Sequence, residues 1–157
     1  MVDRSNFKNM NEQSLLNLYS DLMEDLREKQ LIRSSNNPVA DYAEKVAVDY
    51  MGLHRAGKEE RGYDAIDDNR RKYQIKGRRI TKHNSSRQLG VIRNLEEKLF
   101  DYLVAVVFNE DFSVGEIWKV PYRFVEKNSR FSEHQNGHIF YAKPDILSGG
   151  KGVERIR

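Results

Sequence analysis

Two amphipathic patterns open the chain. Residues 12–32 carry apolar side chains at three- and four-residue intervals with a polar opposite face, which predicts a first helix capped by Asn11. Asn37-Pro38 is typical of a helix start, with Asn as N-cap and Pro at the first helical position. The apolar positions that follow predict a second helix, which Gly52 ends.

From Gly62 the apolar period changes from helical spacing to two. The alternation predicts a hairpin with strands near 62–67 and 71–77, joined by a turn at Asp68-Asn69-Arg70. Further along, the pattern predicts a short helix near 88–98, strands at 100–108, 112–120 and 137–142, a short helix from Pro121, and a loose tail at 147–157. The run "FDYLVAVVF" is apolar at almost every position, as in a central strand buried on both faces.

This order of elements predicts an α/β (α+β) fold, with a mixed central sheet flanked by helices and an extra N-terminal helix. At 157 residues the chain has the length of one domain. We divide residues 1–157 into an N-terminal helical extension (1–35), a core (36–120) and a C-terminal elaboration (121–157). The apolar stripe of the first helix is typical of a core face, and a homodimer contact is the alternative.

The amino-acid composition indicates where the protein is located and which bonds it lacks. The chain has no cysteine, which excludes disulfides and thiolate metal sites and fits the reducing cytoplasm. No apolar run approaches the length of a membrane span, and the first residues lack the apolar segment of a signal peptide. We therefore expect a cytoplasmic protein with no membrane partner.

Charge is concentrated in one segment. Between Arg70 and Arg93 there are nine Lys or Arg residues and no acid, whereas the net charge of the whole chain is only +3. A basic segment on an otherwise acidic protein indicates a localised site for a polyanion, and the alternative is a solvated surface loop. The residues that we predict to contact phosphate are Arg78, Arg79, Lys82 and Arg87.

The predicted hairpin carries the candidate chemistry. On a strand, Gln74 and Lys76 share one face while the apolar residues beside them share the other. Asp64 joins that polar face only if the hairpin is centred on residue 69, which a three-residue loop at 68–70 or a bulge provides. A two-residue turn would instead pair Asp64 with Tyr73 and place the carboxylate on the wrong face.

A set of this kind can hold a divalent metal ion. The Asp64 carboxylate is a hard oxygen ligand for Mg²⁺, or for Mn²⁺, and the Gln74 carbonyl is a neutral one. Lys76 can hold an attacking water or stabilise developing negative charge. Because Gln74 brings no charge, a second anion is expected, and Glu44, at the flank of the apolar stripe of the second helix, is the candidate. A surface ion pair is the alternative role for Glu44.

These residues resemble the metal-binding motif of the PD-(D/E)XK nucleases. Asp64 followed ten positions later by Gln74-Ile75-Lys76 is similar to the Gln-x-Lys variant of that motif. The segment 38–108 resembles the family core of helix, three strands, helix and strand. Tyr63 stands where the family motif has proline. The resemblance implies a restriction-endonuclease-like fold and a Mg²⁺-dependent endonuclease with Glu44, Asp64, Gln74 and Lys76 as site residues.

The substrate implied by the resemblance is DNA rather than RNA, in restriction, defence or repair. Because the family contains members that have lost catalysis, the alternative is an inactive module of the same fold. Such a module would bind nucleic acid or a protein partner.

Overall fold

The computed structural model describes residues 3–157. Its helices are α1 (Glu12–Glu28), α2 (Val39–Met51), α3 (Tyr122–Asn128) and α4 (Pro144–Leu147), with 3-10 helices at Arg4–Phe7 and Leu95–Glu97. The strands are β1 (His54–Arg55), β2 (Ala65–Ile66), β3 (Lys72–Arg79), β4 (Tyr102–Phe108), β5 (Val114–Pro121), β6 (Arg130–Ser132), β7 (Gly137–Ile139) and β8 (Glu154–Arg155).

Six of the strands form one mixed sheet in the order β1-β2-β3-β4-β5-β8, and β6 and β7 form a separate hairpin. The pair β3–β4 is parallel and the other neighbouring pairs of the large sheet are antiparallel. The predicted α/β class with a mixed central sheet and a preceding helix is therefore confirmed. The finer restriction-endonuclease-like assignment stays a prediction.

The central strand β4 is apolar at nearly every position because both of its faces are buried. Leu103, Ala105 and Val107 point into one core, where they meet the segment 89–100, Trp118 and α3. Val104, Val106 and Phe108 point into the other core, beneath α2. Because both faces are buried, no position of the strand after its first residue can be polar without losing solvation.

Helix α2 packs closely over β3. A Cβ atom added to Gly77 would lie 2.7 Å from the Cβ of Ala43 and 2.8 Å from the carbonyl oxygen of Val39. Glycine at this position therefore sets the approach of α2 to the sheet. Glu44 follows Ala43 in the same helical turn, so this contact also fixes the height of Glu44 above the hairpin.

Two sequence predictions are wrong. The helix expected near 88–98 is reduced to the 3-10 turn at Leu95–Glu97, because Gln88 and Ile92 lie in extended backbone that bridges to Tyr141 and His138. The tail expected to be loose adds β8 to the sheet, with Arg155 opposite Trp118. In both cases pairing between distant segments decides the local structure.

Helix α1 leaves most of its apolar stripe exposed. Only Met23 of this helix is buried, while large apolar side chains that face solvent are Leu15, Leu16, Leu18, Tyr19 and Leu22. The stripe is therefore not a core face of the single chain along most of its length. Within residues 3–157, the helices lack the combination of length and apolar content that crossing a membrane requires.

Candidate functional site

The hairpin has the register that the sequence argument required. Ala65 pairs with Tyr73 and Ile66 with Lys72, so the hairpin is centred on residue 69. The turn is held by Asp67, whose Oδ1 accepts hydrogen bonds from the backbone nitrogens of Asn69 and Arg71 at 3.0 and 2.9 Å. The ladder ends at the Ala65–Tyr73 pair, and one further pair in the same register would set Asp64 opposite Gln74.

Asp64 lies at the edge of the sheet, where β2 has ended and β3 continues. Its backbone nitrogen donates to the carbonyl oxygen of Tyr73 at 2.8 Å, and its Oδ2 accepts from the backbone nitrogen of Ile75 at 2.7 Å. The Asp64 carboxylate thus accepts the hydrogen bond that the backbone nitrogen of Ile75 would otherwise donate to a neighbouring strand. This places the carboxylate between Gln74 and Lys76 along β3. One carboxylate oxygen is fixed by this bond, while Oδ1 makes no hydrogen bond among the described residues.

Gln74 carries an unsatisfied acceptor. Its Oε1 is buried without any hydrogen-bond partner, the one such side-chain atom found in residues 3–157. A buried acceptor in this state costs about 1–3 kcal/mol relative to a satisfied one. An electropositive ligand bound at this oxygen would remove the cost, so the atom is matched to a cation or to a donor that is not part of the chain.

Glu44 approaches the same edge from α2, but an arginine already holds it. Arg55 on β1 donates from Nη2 and Nε to Glu44 Oε2 at 2.8 and 3.2 Å. The two side chains are only 19% and 22% exposed, so this pair is largely removed from water. Arg55 was not anticipated, because nothing in the pattern around "LHRAG" marks it.

The charges of the site act on each other. Burial raises the pKa of the Asp64 carboxyl above its usual 3.8; Glu44 adds to this effect, while the bond from Ile75, Lys76 and Arg55 oppose it. Burial lowers the pKa of the Lys76 ammonium below its usual 10.5, even though Asp64 and Glu44 oppose the change. Both groups are therefore biased toward their neutral forms, which is common at functional sites.

Gln74 and Lys76 line one pocket, and Asp64 and Glu44 line the next. The first has a volume of about 480 Å³, and it is bordered by Arg61. Arg93 also borders this pocket and lowers the pKa of Lys76 by charge repulsion. The second, of about 310 Å³, lies between α2 and the segment 56–64. The four predicted site residues are therefore divided between two pockets, one on each side of the edge of β3.

Asp41, which the helical wheel places farther round α2, has a local task. Its Oδ2 accepts from the backbone nitrogens of Arg33 and Ser34 at 2.9 and 2.7 Å, and from the Ser34 hydroxyl at 2.8 Å. These bonds anchor the segment before α2. They also leave Asp41 with little capacity for a metal.

The four predicted phosphate contacts differ in their surroundings. Arg78, on the same face of β3 as Gln74 and Lys76, donates to Ser86 O at 2.7 Å and to Asn84 Oδ1 at 2.9 Å. Lys82 is exposed and makes no ion pair or side-chain hydrogen bond within residues 3–157. Lys82 and the outer edge of Arg78 are thus the parts of this loop that are open to an anion.

The other two arginines have partners inside the fold. Arg79 donates to the carbonyl oxygen of Glu110 and lies 4.3 Å over the ring of Phe112. Arg87 is bound to Glu116, 2.6 Å from Nη2 to Oε1, and also donates to Ala142 O at 2.8 Å. These contacts stabilise the loop and reduce the donors that are available to a phosphate.

The donor atoms near the edge of β3 are of the type that a hard divalent ion takes. Among the described residues, no cluster of three His, Cys, Asp or Glu side chains is placed to bind a metal. The site instead offers two carboxylates, Asp64 and Glu44, and the unsatisfied amide oxygen of Gln74. All three are oxygen donors, as Mg²⁺ and Mn²⁺ prefer, and an ion with few protein ligands keeps the rest of its shell as water.

Comparison with known proteins adds no family to these observations. No protein-family model matches the sequence, and a search of curated proteins gives no match either. The resemblance to the PD-(D/E)XK nucleases therefore rests on the motif and on the geometry just described, and it remains a prediction.

Proposed function

We propose that this protein is a metal-dependent endonuclease that hydrolyses phosphodiester bonds in DNA. The observation that carries the proposal is the Asp64 carboxylate, which accepts a hydrogen bond from the backbone nitrogen of Ile75, between Gln74 and Lys76, while Gln74 Oε1 has no partner. Asp64 and Gln74 would hold Mg²⁺ or Mn²⁺, and Glu44 would join them once it leaves Arg55.

Each residue has a defined task in this chemistry. When bound, the metal ion would supply charge that polarises a phosphoryl oxygen and acidifies a water. Lys76, beside the carboxylate, would orient the attacking water and stabilise negative charge on the phosphoryl group. The water oxygen bonds to phosphorus as the bond to the leaving oxygen breaks, and a water proton passes to that oxygen, which gives a phosphate monoester and a hydroxyl.

The surrounding cations support a polyanionic substrate. Arg61 and Arg93 border the pocket of Gln74 and Lys76, Arg78 lies farther along the same face of β3, and Lys82 is exposed in the turn after β3. Contacts of this kind bind the phosphate backbone without regard to base sequence, and they make affinity depend on salt. DNA as substrate and the cytoplasm as location are parts of this proposal, the latter supported by the absence of cysteine.

A cleavage assay tests the function. Supercoiled plasmid and branched DNA are incubated with the protein in Mg²⁺, in Mn²⁺ and in EDTA, alongside Asp64→Ala, Lys76→Ala and the control Lys8→Ala, an exposed lysine at the end of the first 3-10 helix. We expect metal-dependent nicking by wild type and the control, and a loss of at least about 100-fold in both site variants. Equal background activity in all four proteins would refute the catalytic proposal.

That negative outcome would favour the second candidate, an inactive module that binds nucleic acid or a protein. One observation supports it: Arg55 already neutralises Glu44, as expected of a site that no longer needs a metal. The module would bind DNA in EDTA as well as in Mg²⁺, with no cleavage. A nuclease would give both binding and metal-dependent product.

A homodimer is the remaining part of the proposal. The exposed apolar stripe of α1, centred on Leu15, Leu18 and Leu22, is the surface that a second copy would cover. Two copies would also supply the two sites that cleavage of both DNA strands requires. Light scattering behind size exclusion tests this part, because Leu18→Glu with Leu22→Glu should convert a dimer to a monomer.

A further inference from the structure

A second basic surface lies beside the start of β4. It is a groove of about 1290 Å³ between α3, the residues after the 3-10 turn at Leu95–Glu97, and the glycine-rich loop 148–152. We call it the α3 groove. The residues that matter for its chemistry are Lys98, Tyr102, Arg123, Phe124, Lys127 and Lys151.

The α3 groove has a surplus of available cations. Lys98, Arg123, Lys127 and Lys151 come from three separate segments, and none of them forms an ion pair within residues 3–157. Positive charge that is not neutralised internally, and that is spread along a groove, favours an extended polyanion over a single compact anion.

The two acids of the groove are already engaged. Asp101 Oδ2 accepts from the backbone nitrogen of Lys72 at 2.7 Å, and Glu126 Oε1 accepts from the Tyr122 hydroxyl at 3.3 Å. Arg71, which also borders the groove, is held by Asp67 at 2.6 Å. The donors to Asp101 and Glu126 are neutral, so both carboxylates keep their charge, and the four unpaired cations leave the groove with a surplus of two positive charges.

The glycines of the loop bring Lys151 to α3. A Cβ atom on Gly150 would lie 2.5 Å from the ring of Phe124, so only glycine allows this approach. The loop consequently lies against α3, and Lys151 borders the same groove as Lys127. The run "SGGKG" thus lets the loop pack against α3.

The groove adjoins the candidate active site. Leu99 borders the pocket of Gln74 and Lys76, and its neighbours Lys98 and Phe100 border the α3 groove. In the sheet, Tyr102 pairs with Tyr73 and its ring lies on that face, whereas Phe100 lies in the core on the Leu103 side, which is the face of Gln74. A chain bound at Lys76 can continue over Leu99 into the groove.

We propose that the α3 groove binds a single strand of nucleic acid that leads away from the cleavage site. Its volume exceeds the range of about 300–1,000 Å³ that is usual for small-molecule pockets. The Tyr102 ring is already stacked with Tyr73, with Lys119 over it, so the ring that the groove offers to a base is the partly exposed ring of Phe124. A basic groove with an aromatic ring is suited to single strands. The inference rests on the proposed function in taking DNA as the ligand.

Binding without metal separates this inference from the catalytic one. Fluorescence anisotropy with labelled oligo-dT in EDTA is measured over a range of salt for wild type, for the double variant Lys127→Gln with Lys151→Gln, and for a control. The control, Lys8→Gln with Lys29→Gln, removes the same charge from the distant N-terminal helices. Thermal melts of all three proteins establish that they are folded.

We expect the groove variant to bind about 10- to 30-fold more weakly than the control at 0.1 M salt, with a log–log salt slope shallower by about 1.4, since each single-strand phosphate contact contributes about 0.7. Equal affinity and slope in the two double variants would overturn the inference, as would displacement of oligo-dT by poly-glutamate at equal charge concentration. If the two double variants bind equally but the wild type cleaves DNA with metal, the groove inference fails and the nuclease proposal stands. If the groove variant loses binding but the wild type does not cleave DNA, the groove inference stands and the nuclease proposal fails.

Discussion

Arg55 is the residue whose removal tests the metal site most informatively. Its guanidinium is bound to Glu44, and its charge opposes the rise in the pKa of Asp64. Arg55 thus supplies the positive charge that a bound metal ion would supply instead. Replacing Arg55 by Gln keeps a polar side chain and deletes the charge. Two effects of opposite sign follow, on the stability of the metal-free protein and on the affinity for metal.

Both magnitudes can be estimated. Breaking an ion pair whose members are 19% and 22% exposed lies between the buried and surface cases, and should cost about 2–3 kcal/mol of unfolding free energy. In a chain of 157 residues that loss lowers the melting temperature by about 8 °C. The released Glu44 carboxylate and the absent cation should raise Mn²⁺ affinity at least about tenfold, or about 1.4 kcal/mol.

Differential scanning fluorimetry with and without Mn²⁺ measures both effects. At a Mn²⁺ concentration ten times the wild-type Kd, wild type should gain about 1.4 kcal/mol, or about 4 °C, and Arg55→Gln about 2.7 kcal/mol, or about 8 °C. The control is Lys45→Gln, which removes the exposed pair with Asp49 on the same helix. If Arg55→Gln bound Mn²⁺ no better than this control, Glu44 would not be a ligand and the argument would fail.

Three further changes test other parts of the site. Gln74→Glu should bind Mn²⁺ at least about tenfold more tightly by calorimetry, because a second carboxylate joins Asp64; unchanged affinity would exclude position 74 as a ligand. Asp64→Asn should raise the melting temperature of the metal-free protein at pH 7. Because the pKa of Asp64 is raised in the folded protein, its ionisation opposes folding as pH rises above 3.8. The gain in melting temperature should therefore shrink as pH falls toward 3.8. A lower melting temperature of the variant at pH 7 would contradict this reasoning. Gly77→Ala should cost about 1–3 kcal/mol in urea unfolding, since its Cβ meets Ala43; a neutral effect would show that α2 shifts freely.

The hairpin was predictable because its register depends on local chemistry. Asp67 binds the backbone of the turn, and Arg70 adopts a positive φ of 62°, so the loop takes three residues and Asp64 falls beside Gln74. The apolar run of β4 was predictable for a similar reason, because burial on both faces leaves no place for a polar side chain.

The features that escaped prediction depend on distant segments. Leu89, Ile92 and Leu95 have helical spacing, yet they enter the core from an extended segment that bridges to residues 138–141. Arg55 is one arginine among many until the fold places Glu44 opposite it. Periodicity reports which residues are buried, whereas the partner of a charge is decided by tertiary packing.

Anomalous diffraction from crystals grown with Mn²⁺ shows whether Asp64 and Gln74 bind a metal ion. We expect one strong peak at the edge of β3, within coordination distance of an Asp64 carboxylate oxygen and Gln74 Oε1, and we expect this peak to weaken in Asp64→Asn. A protein that remains folded and shows no peak there at millimolar Mn²⁺, with Gln74 Oε1 bonded to a protein or water donor instead, would contradict it.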